Sequence, residues 1–420
     1  MKTGPAAAPS PWVVFSAVAV GNLMATLDGS IVNVALPTLS LELAAPVDRV
    51  EWIVSAYLVA ISATLLAAGR LGDSAGHRPV YVGGLLVFTI GSALCGLSGS
   101  LGGLVAARVV QALGATAMMA IGPAIVTAVF PASMRGRALG AIGTVVAVGL
   151  TLGPPLGGAI LTGLSWRWLF FVNVPVGIAG MAWALRTLPA RRGGGVGPRP
   201  PLVPLRLFRS PVFAAGIAAG LLSYAAMFSQ TILTPFFLAR AKGLGPGRLG
   251  LMLSAVPVAL SVSSPLAGWL SDRLGGRFLP PLGMLLVAGG LAGLAGAEPE
   301  DGLPTIAAWL AACGFGMGLF QAPNNSAVMG ATPRDLLGSG GGLLATARNV
   351  GMACGVALSA RLFAWRAGSS PGVAELLLGW SVALRAGAGI ALLAGAASLA
   401  APRRPEPPLD GGSGSASMRP

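Results

Sequence analysis

Apolar positions in this chain gather into twelve long runs, separated by polar or Gly/Pro-rich breaks: 12–36, 52–70, 80–98, 102–130, 138–161, 168–188, 212–238, 249–270, 279–297, 304–329, 341–365 and 376–401. Each run approaches or exceeds the roughly 20 residues that a helix needs to cross about 30 Å of hydrocarbon. The runs are apolar all round. A transmembrane barrel would show segments of about ten residues with alternating hydrophobicity, so the pattern predicts helices, which satisfy their own backbone inside a bilayer. The first run follows a single lysine and lacks a clear small-x-small cleavage site, so it is expected to be retained as a helix.

Composition agrees with the pattern. With 54% apolar residues, 63 glycines and a mean hydropathy of +0.79, the 420-residue chain has more apolar surface than one water-soluble core can hide. The net charge of +14 raises the question of nucleic acid. Its distribution answers differently: with the amino end inside, 17 of the 27 Lys and Arg fall to inner segments and the run ends beside them and 7 to outer ones, while Arg108, Arg348 and Arg385 lie deeper within runs. This is the positive-inside pattern, and it predicts a multi-pass protein of the cytoplasmic membrane with both termini in the cytoplasm. The basic residues orient the chain, and no basic face with interleaved aromatics is left to bind nucleic acid. Acidic residues, Glu42, Asp48 and Glu51 and then Glu298, Glu300 and Asp301, fall in the expected outer loops.

Cys95, Cys313 and Cys354 are scattered through the runs and His77 is the only histidine, so no disulfide framework or metal site is expected. The two lysines, Lys2 and Lys242, do not end a G-x-x-x-x-G-K-[ST] loop, so no nucleotide site is expected either. Neither enzyme chemistry nor a cofactor is predicted.

A charged turn, GRLGDSAGHRPV (69–80), returns 199 residues later as GWLSDRLGGRFL (268–279). The same offset carries the starts of the early runs near those of later ones, so the whole first half repeats. Between the halves, RTLPARRGGGVGPRPPLVPLRLFRSP (186–211) is too polar to cross a membrane. The expected organisation is a six-helix half over 1–188, a cytoplasmic linker over 189–211, a second six-helix half over 212–401, and a disordered cytoplasmic tail over 402–420. Two such halves suit a secondary transporter that rocks about a midplane site.

The repeated G-x-L-x-D-x-x-G-x-R turn resembles the signature loop of the major facilitator superfamily. The resemblance implies an all-α integral membrane fold of twelve helices. It also implies that Gly69, Asp73, Gly76 and Arg78, with Gly268, Asp272, Arg273, Gly275 and Arg277, form loops whose Asp and Arg pair with neighbouring helix ends to hold one access state closed. Ser74 departs from the basic residue usual there, while the second copy keeps Arg273. LDGSIVNVALP (27–37), EWIVSAYLVA (51–60), GLTLGPPLGG (149–158), SWRWLFFVNVPVG (165–177) and ARNVGMACGVAL (347–358) resemble the drug/proton antiporter branch, which usually has fourteen helices. The linker here leaves no room for two extra helices, so twelve are expected. In that branch the pattern matched by Gly149, Gly153, Pro154, Pro155, Gly157 and Gly158 marks exporters. Gly149, Gly153 and Gly157 also recur every four residues, a face suited to close helix packing.

Asp28 is the one carboxylate inside the runs. Burying a carboxylate is costly, and proton uptake relieves the cost. At about 1.5 Å per residue, Asp28 and Arg108 sit at similar depth, roughly 24 and 21 Å from the inner face. A proton-sensitive pair is expected. A static structural pair, and two residues facing different water-filled clefts, remain open. One repeat later stand Met227 and Ala307, so proton handling would belong to the first half. Gln111 shares a helix face with Arg108 and is a candidate cavity residue. Tyr224, Phe228, Gln230, Phe320, Gln321, Asn324 and Asn325 are candidate cavity residues for an amphiphilic ligand, with cross-helix bonding as the alternative. Met118 and Met119 would add adaptable surface. The expected function is proton-coupled export of drugs, antibiotics or other amphiphilic small molecules by a functional monomer. Uptake of a nutrient or metabolite is the alternative, and a non-transporting receptor a third.

Overall fold

A computed structural model of the chain describes residues 10–189, 204–274, 277–333, 336–368 and 372–400. Twelve apolar helices run through them: α1 (Pro11–Glu42), α2 (Trp52–Ala75), α3 (His77–Leu97), α4 (Leu101–Val129), α5 (Arg135–Gly163), α6 (Asn173–Thr187), α7 (Pro211–Phe236), α8 (Ala255–Leu274), α9 (Leu279–Ala295), α10 (Leu303–Gly330), α11 (Leu337–Ala367) and α12 (Val373–Leu399). Short helical turns extend four of them: Val47–Val50 leads into α2, Trp168–Phe171 into α6 and Pro246–Leu253 into α8, while Phe237–Ala241 continues α7 as a π-turn. Eleven of the resulting spans have the length and hydropathy of membrane crossings; α9, at 17 residues, is the short one. No strand occurs among the described residues.

The helix ends follow local chemistry. Pro at the first helical position opens α1 and α7, where its missing N–H costs nothing. Ser100 and Ser210 cap α4 and α7 by accepting from Gly103 N and Phe213 N. Between α2 and α3 the chain turns on Gly76, whose φ of +98° suits glycine.

Glycines set the helix spacing, as small residues do where lipid supplies no hydrophobic drive. Gly84 and Gly91 bring α3 against α4, and their counterparts 199 residues on, Gly283 and Gly290, bring α9 against α10. Gly351 and Gly355 of α11 lie against the backbone of α7 in the same way.

The buried apolar residues form clusters that report how the halves meet. One cluster joins Ile31, Val34, Leu36, Leu39, Val47 and Val50 to Phe236, Phe237, Leu249, Leu253 and Phe363. These lie toward the face remote from the termini, here the distal face. Toward the termini face the cores are separate: Val14, Val18, Tyr81, Ile121, Val126 and Ala138 cluster only with the first half, and Leu207, Phe213, Val328, Leu336 and Leu343 only with the second. The halves are thus packed together distally and are served by separate cores near the termini. On the distal side Arg240 donates to Ser40 Oγ across the halves at 3.3 Å, beside a cavity of about 520 Å³ lined by Ser40, Asp48, Arg240 and Phe363 among others.

Glu51 lies in the turn between Val47–Val50 and α2. It is buried and accepts a hydrogen bond from Ser55 Oγ. The short helix tucks it against α11. Most of the linker and the whole of 402–420 lie outside the described residues.

Candidate functional site

Five helices of the first half converge on Asp28, which is fully buried on α1. Its Oδ2 accepts from Arg108 Nη1 of α4 at 2.5 Å. Its Oδ1 accepts from Gln111 Nε2 at 2.8 Å and from Asn173 Nδ2 of α6 at 3.0 Å. Ser92 Oγ on α3 accepts from the same Gln111 and Asn173 amides, each at 3.0 Å, and donates to Phe170 O at 2.9 Å. Arg108 is also fully buried: Nη1 donates to Gln111 Oε1 at 2.6 Å, Nε donates to Ile53 O at 3.2 Å, and the guanidinium lies 4.0 Å from the ring centroid of Tyr57 on α2. A buried ion pair persists only where its remaining valences are satisfied. Here neutral amides and hydroxyls do that, so the centre holds one negative and one positive charge with few other titratable neighbours.

Asp28 and Arg108, expected at one depth, meet as an ion pair, and Gln111, expected in the cargo cavity, is bonded to both of them instead. Ser92, Asn173 and Tyr57 were absent from the candidates. Asn173 and Tyr57 lie within the quoted motifs, and Asn173 falls about 7.5 Å from the start of its run by the helical rise, close to the depth of Arg108. That coincidence was the available signal.

The glycine pattern of α5 has two faces. On one, a side chain at Gly149 would overlap Thr26, one at Gly153 would overlap Ser30, and one at Gly157 would press on Ile31, so this stripe seats α5 on α1 within two residues of Asp28. Ser30 Oγ donates to Gly149 O at 3.2 Å across that seam. On the other face, Gly158 meets the backbone of Pro246, and the Pro154 carbonyl meets Gly250, so α5 also carries the contact with the second half. Pro154 and Pro155 lie inside an uninterrupted helix.

The charged turns are less alike than their sequences. In the first, Asp73 Oδ1 lies 3.6 Å from His77 Nε2, and Arg78 Nη2 donates to Leu185 O at the end of α6. Gly69 has open space around it. In the second, Arg273 stacks on Trp269 at 4.4 Å and Arg277 on Phe278 at 5.3 Å, with Gly268 again open. Gly275 and the side chain of Asp272 lie outside the described residues.

The second-half candidates divide. Asn324 donates to Gly216 O at 3.1 Å, binding α10 to α7; Gln230 is buried and bonded to Thr234 and Thr231; Phe320 is buried in the shared core. These three are occupied by packing. Tyr224 comes beside Gln321 and Arg348, and Phe228 and Asn325 are half-buried. Met118 is fully buried within the first half, while Met119 is only partly buried. Among the described residues no group of three or more His, Cys, Asp or Glu side chains is placed to hold a metal.

Two apolar six-helix halves, joined distally and the first enclosing a buried charge pair, define a membrane transporter. The chain belongs to the Major Facilitator Superfamily, whose family profile matches residues 18–356. It is 34% identical to the uncharacterized transporter YebQ of Escherichia coli over 84% of this chain and 89% of that protein. It is 31% identical to the riboflavin transporter RibZ of Clostridioides difficile over 84% and 88%, and 29% identical to the tetracenomycin C resistance and export protein of Streptomyces glaucescens over 85% and 77%. Among solved structures, a bacterial homologue of the human lysosomal transporter Spinster, in an inward-facing and unoccupied conformation, shares the fold with a TM-score of 0.75 at 17% identity, covering 93% of this chain and 96% of that one.

Proposed function

We propose that the chain is a proton-coupled antiporter that exports amphiphilic small molecules by alternating access. The observation that carries this reading is Asp28, a fully buried carboxylate held by Arg108, Gln111 and Asn173 in one half only. At the repeat-related positions the second half has Met227 and Ala307. Ionised, Asp28 ties α1 to α4 and α6. On proton uptake the attraction to Arg108 falls, and any difference in that attraction between the two access states biases their populations. A membrane potential adds about 2.3 kcal/mol per charge per 100 mV.

In this reading both termini are cytoplasmic, and the protein sits in the cytoplasmic membrane and works as a monomer. The charged turns, Gly69 to Arg78 and Gly268 to Arg277, meet when the cytoplasmic side closes. Gly158 against Pro246 and the Pro154 carbonyl against Gly250 bear the sliding contact between the halves, and Tyr224, Phe228, Gln321 and Asn325 with Arg348 offer the second-half wall to cargo. Export rather than uptake is supported by the exporter-like α5 pattern and by the relative named for tetracenomycin C resistance and export. The relative named as a riboflavin transporter supports a second reading, transport of a single metabolite.

The test is efflux of preloaded cationic dyes and antibiotics from cells overexpressing the protein, with and without an uncoupler. Uncoupler-sensitive efflux is expected. Accumulation of riboflavin in energised cells, with no dye or drug efflux, would favour metabolite uptake.

A further inference from the structure

We propose that Tyr57 is a positioning residue that sets how readily Asp28 takes its proton, by holding Arg108 through the face of its ring. The inference rests on the proton-coupled reading above. Tyr57 is buried on α2, and the Arg108 guanidinium lies 4.0 Å from its ring centroid, with the Phe170 ring behind at 5.9 Å. Among the described residues the Tyr57 hydroxyl has no hydrogen-bond partner. It is thus the ring, rather than the hydroxyl, that engages the centre.

The physical case turns on what Arg108 keeps when Asp28 is neutralised. A proton from the aqueous side forms an O–H bond on the carboxyl, and no other bond breaks. The guanidinium then retains only neutral partners: Gln111 Oε1, Ile53 O and the aromatic faces. A buried charge with no counter-ion is costly, and the ring quadrupole is one of the few features that offsets it. While Asp28 is ionised, the ring faces two opposite charges whose effects on it partly cancel. After proton uptake it faces the whole positive charge. Tyr57 therefore stabilises the protonated state more than the ionised one and favours proton binding.

Other groups leave this balance simple. Among the described residues, the charged or titratable side chains around Asp28 are Arg108 from α4, Tyr57 from α2 and Cys95 from α3. α6 brings the neutral Asn173, α5 brings glycines, and Tyr224 of α7 sits with Arg348 and Gln321.

The experiment uses the full chain in lipid nanodiscs, without cargo, and follows the infrared absorbance of protonated carboxyl through a pH titration. The Asp28 component is the part missing in Asp28→Asn. Tyr57→Phe, which keeps the ring, is expected to keep the wild-type midpoint. Tyr57→Leu, folded by size-exclusion profile, is expected to move it down by about one pH unit, the scale of a desolvated cation–π contact. A Tyr57→Leu midpoint equal to wild type, or an equal shift in Tyr57→Phe, overturns the role of the ring while the proton site stands. Absence of any Asp28 component at every pH overturns both.

Discussion

Asn173 Nδ2 lies 3.0 Å from Asp28 Oδ1, joining residues 145 positions apart and fixing the sixth helix of the first half to the first. Together with Gln111 it gives the carboxylate neutral donors that remain when its charge is lost. A pair held by Arg108 alone would collapse on protonation. In the proposed mechanism this one would change charge inside a scaffold that stays bonded.

Replacing Asp28 by Asn is expected to leave a folded protein whose uncoupler-sensitive dye efflux falls at least about tenfold, since the side chain keeps its volume and loses its charge. Efflux rates normalised to membrane-inserted protein check this.

Arg108→Ala leaves the Asp28 carboxylate buried and unpaired, a change that costs about 3–5 kcal/mol. Thermal unfolding in detergent should show a clear loss of stability. Arg108→Lys is expected to rescue it only in part, because one ammonium cannot serve Asp28, Gln111 and Ile53 O as the planar fork does.

A methyl group at Gly153 overlaps Ser30 across the α1–α5 seam. Gly153→Ala is expected to destabilise by about 1–3 kcal/mol, and Ser30→Gly in the same chain to recover part of that. The coupling is read from a double-mutant cycle of unfolding midpoints.

Crosslinking Ser40→Cys to Arg240→Cys, in a chain whose exposed Cys354 is replaced by Ser, is expected to tie the distal ends together and arrest efflux. A reducing agent should restore it. Unimpeded efflux through the crosslinked protein would show that the distal face need not open.

Much of this architecture is legible in the sequence because a bilayer imposes a long apolar period and a fixed depth scale. The twelve runs, the 199-residue repeat and the common depth of Asp28 and Arg108 all follow from these two constraints. Depth fixes position along a helix and leaves rotation about its axis undetermined. Ser92 and Tyr57 therefore could not be separated from other residues at their level, and Gln230, Phe320 and Asn324 could not be recognised as packing residues. The burial of Glu51 was illegible for a related reason: a turn-forming acidic stretch reads as exposed loop, and only the fold of Val47–Val50 against α11 buries it.

The most direct measurement of the central claim is dye movement in proteoliposomes with an imposed pH gradient and no other energy source, recorded together with internal pH. The wild type is expected to move a cationic dye against the proton flow, and Asp28→Asn to move neither dye nor protons. Equal, pH-dependent dye movement by Asp28→Asn would contradict the claim.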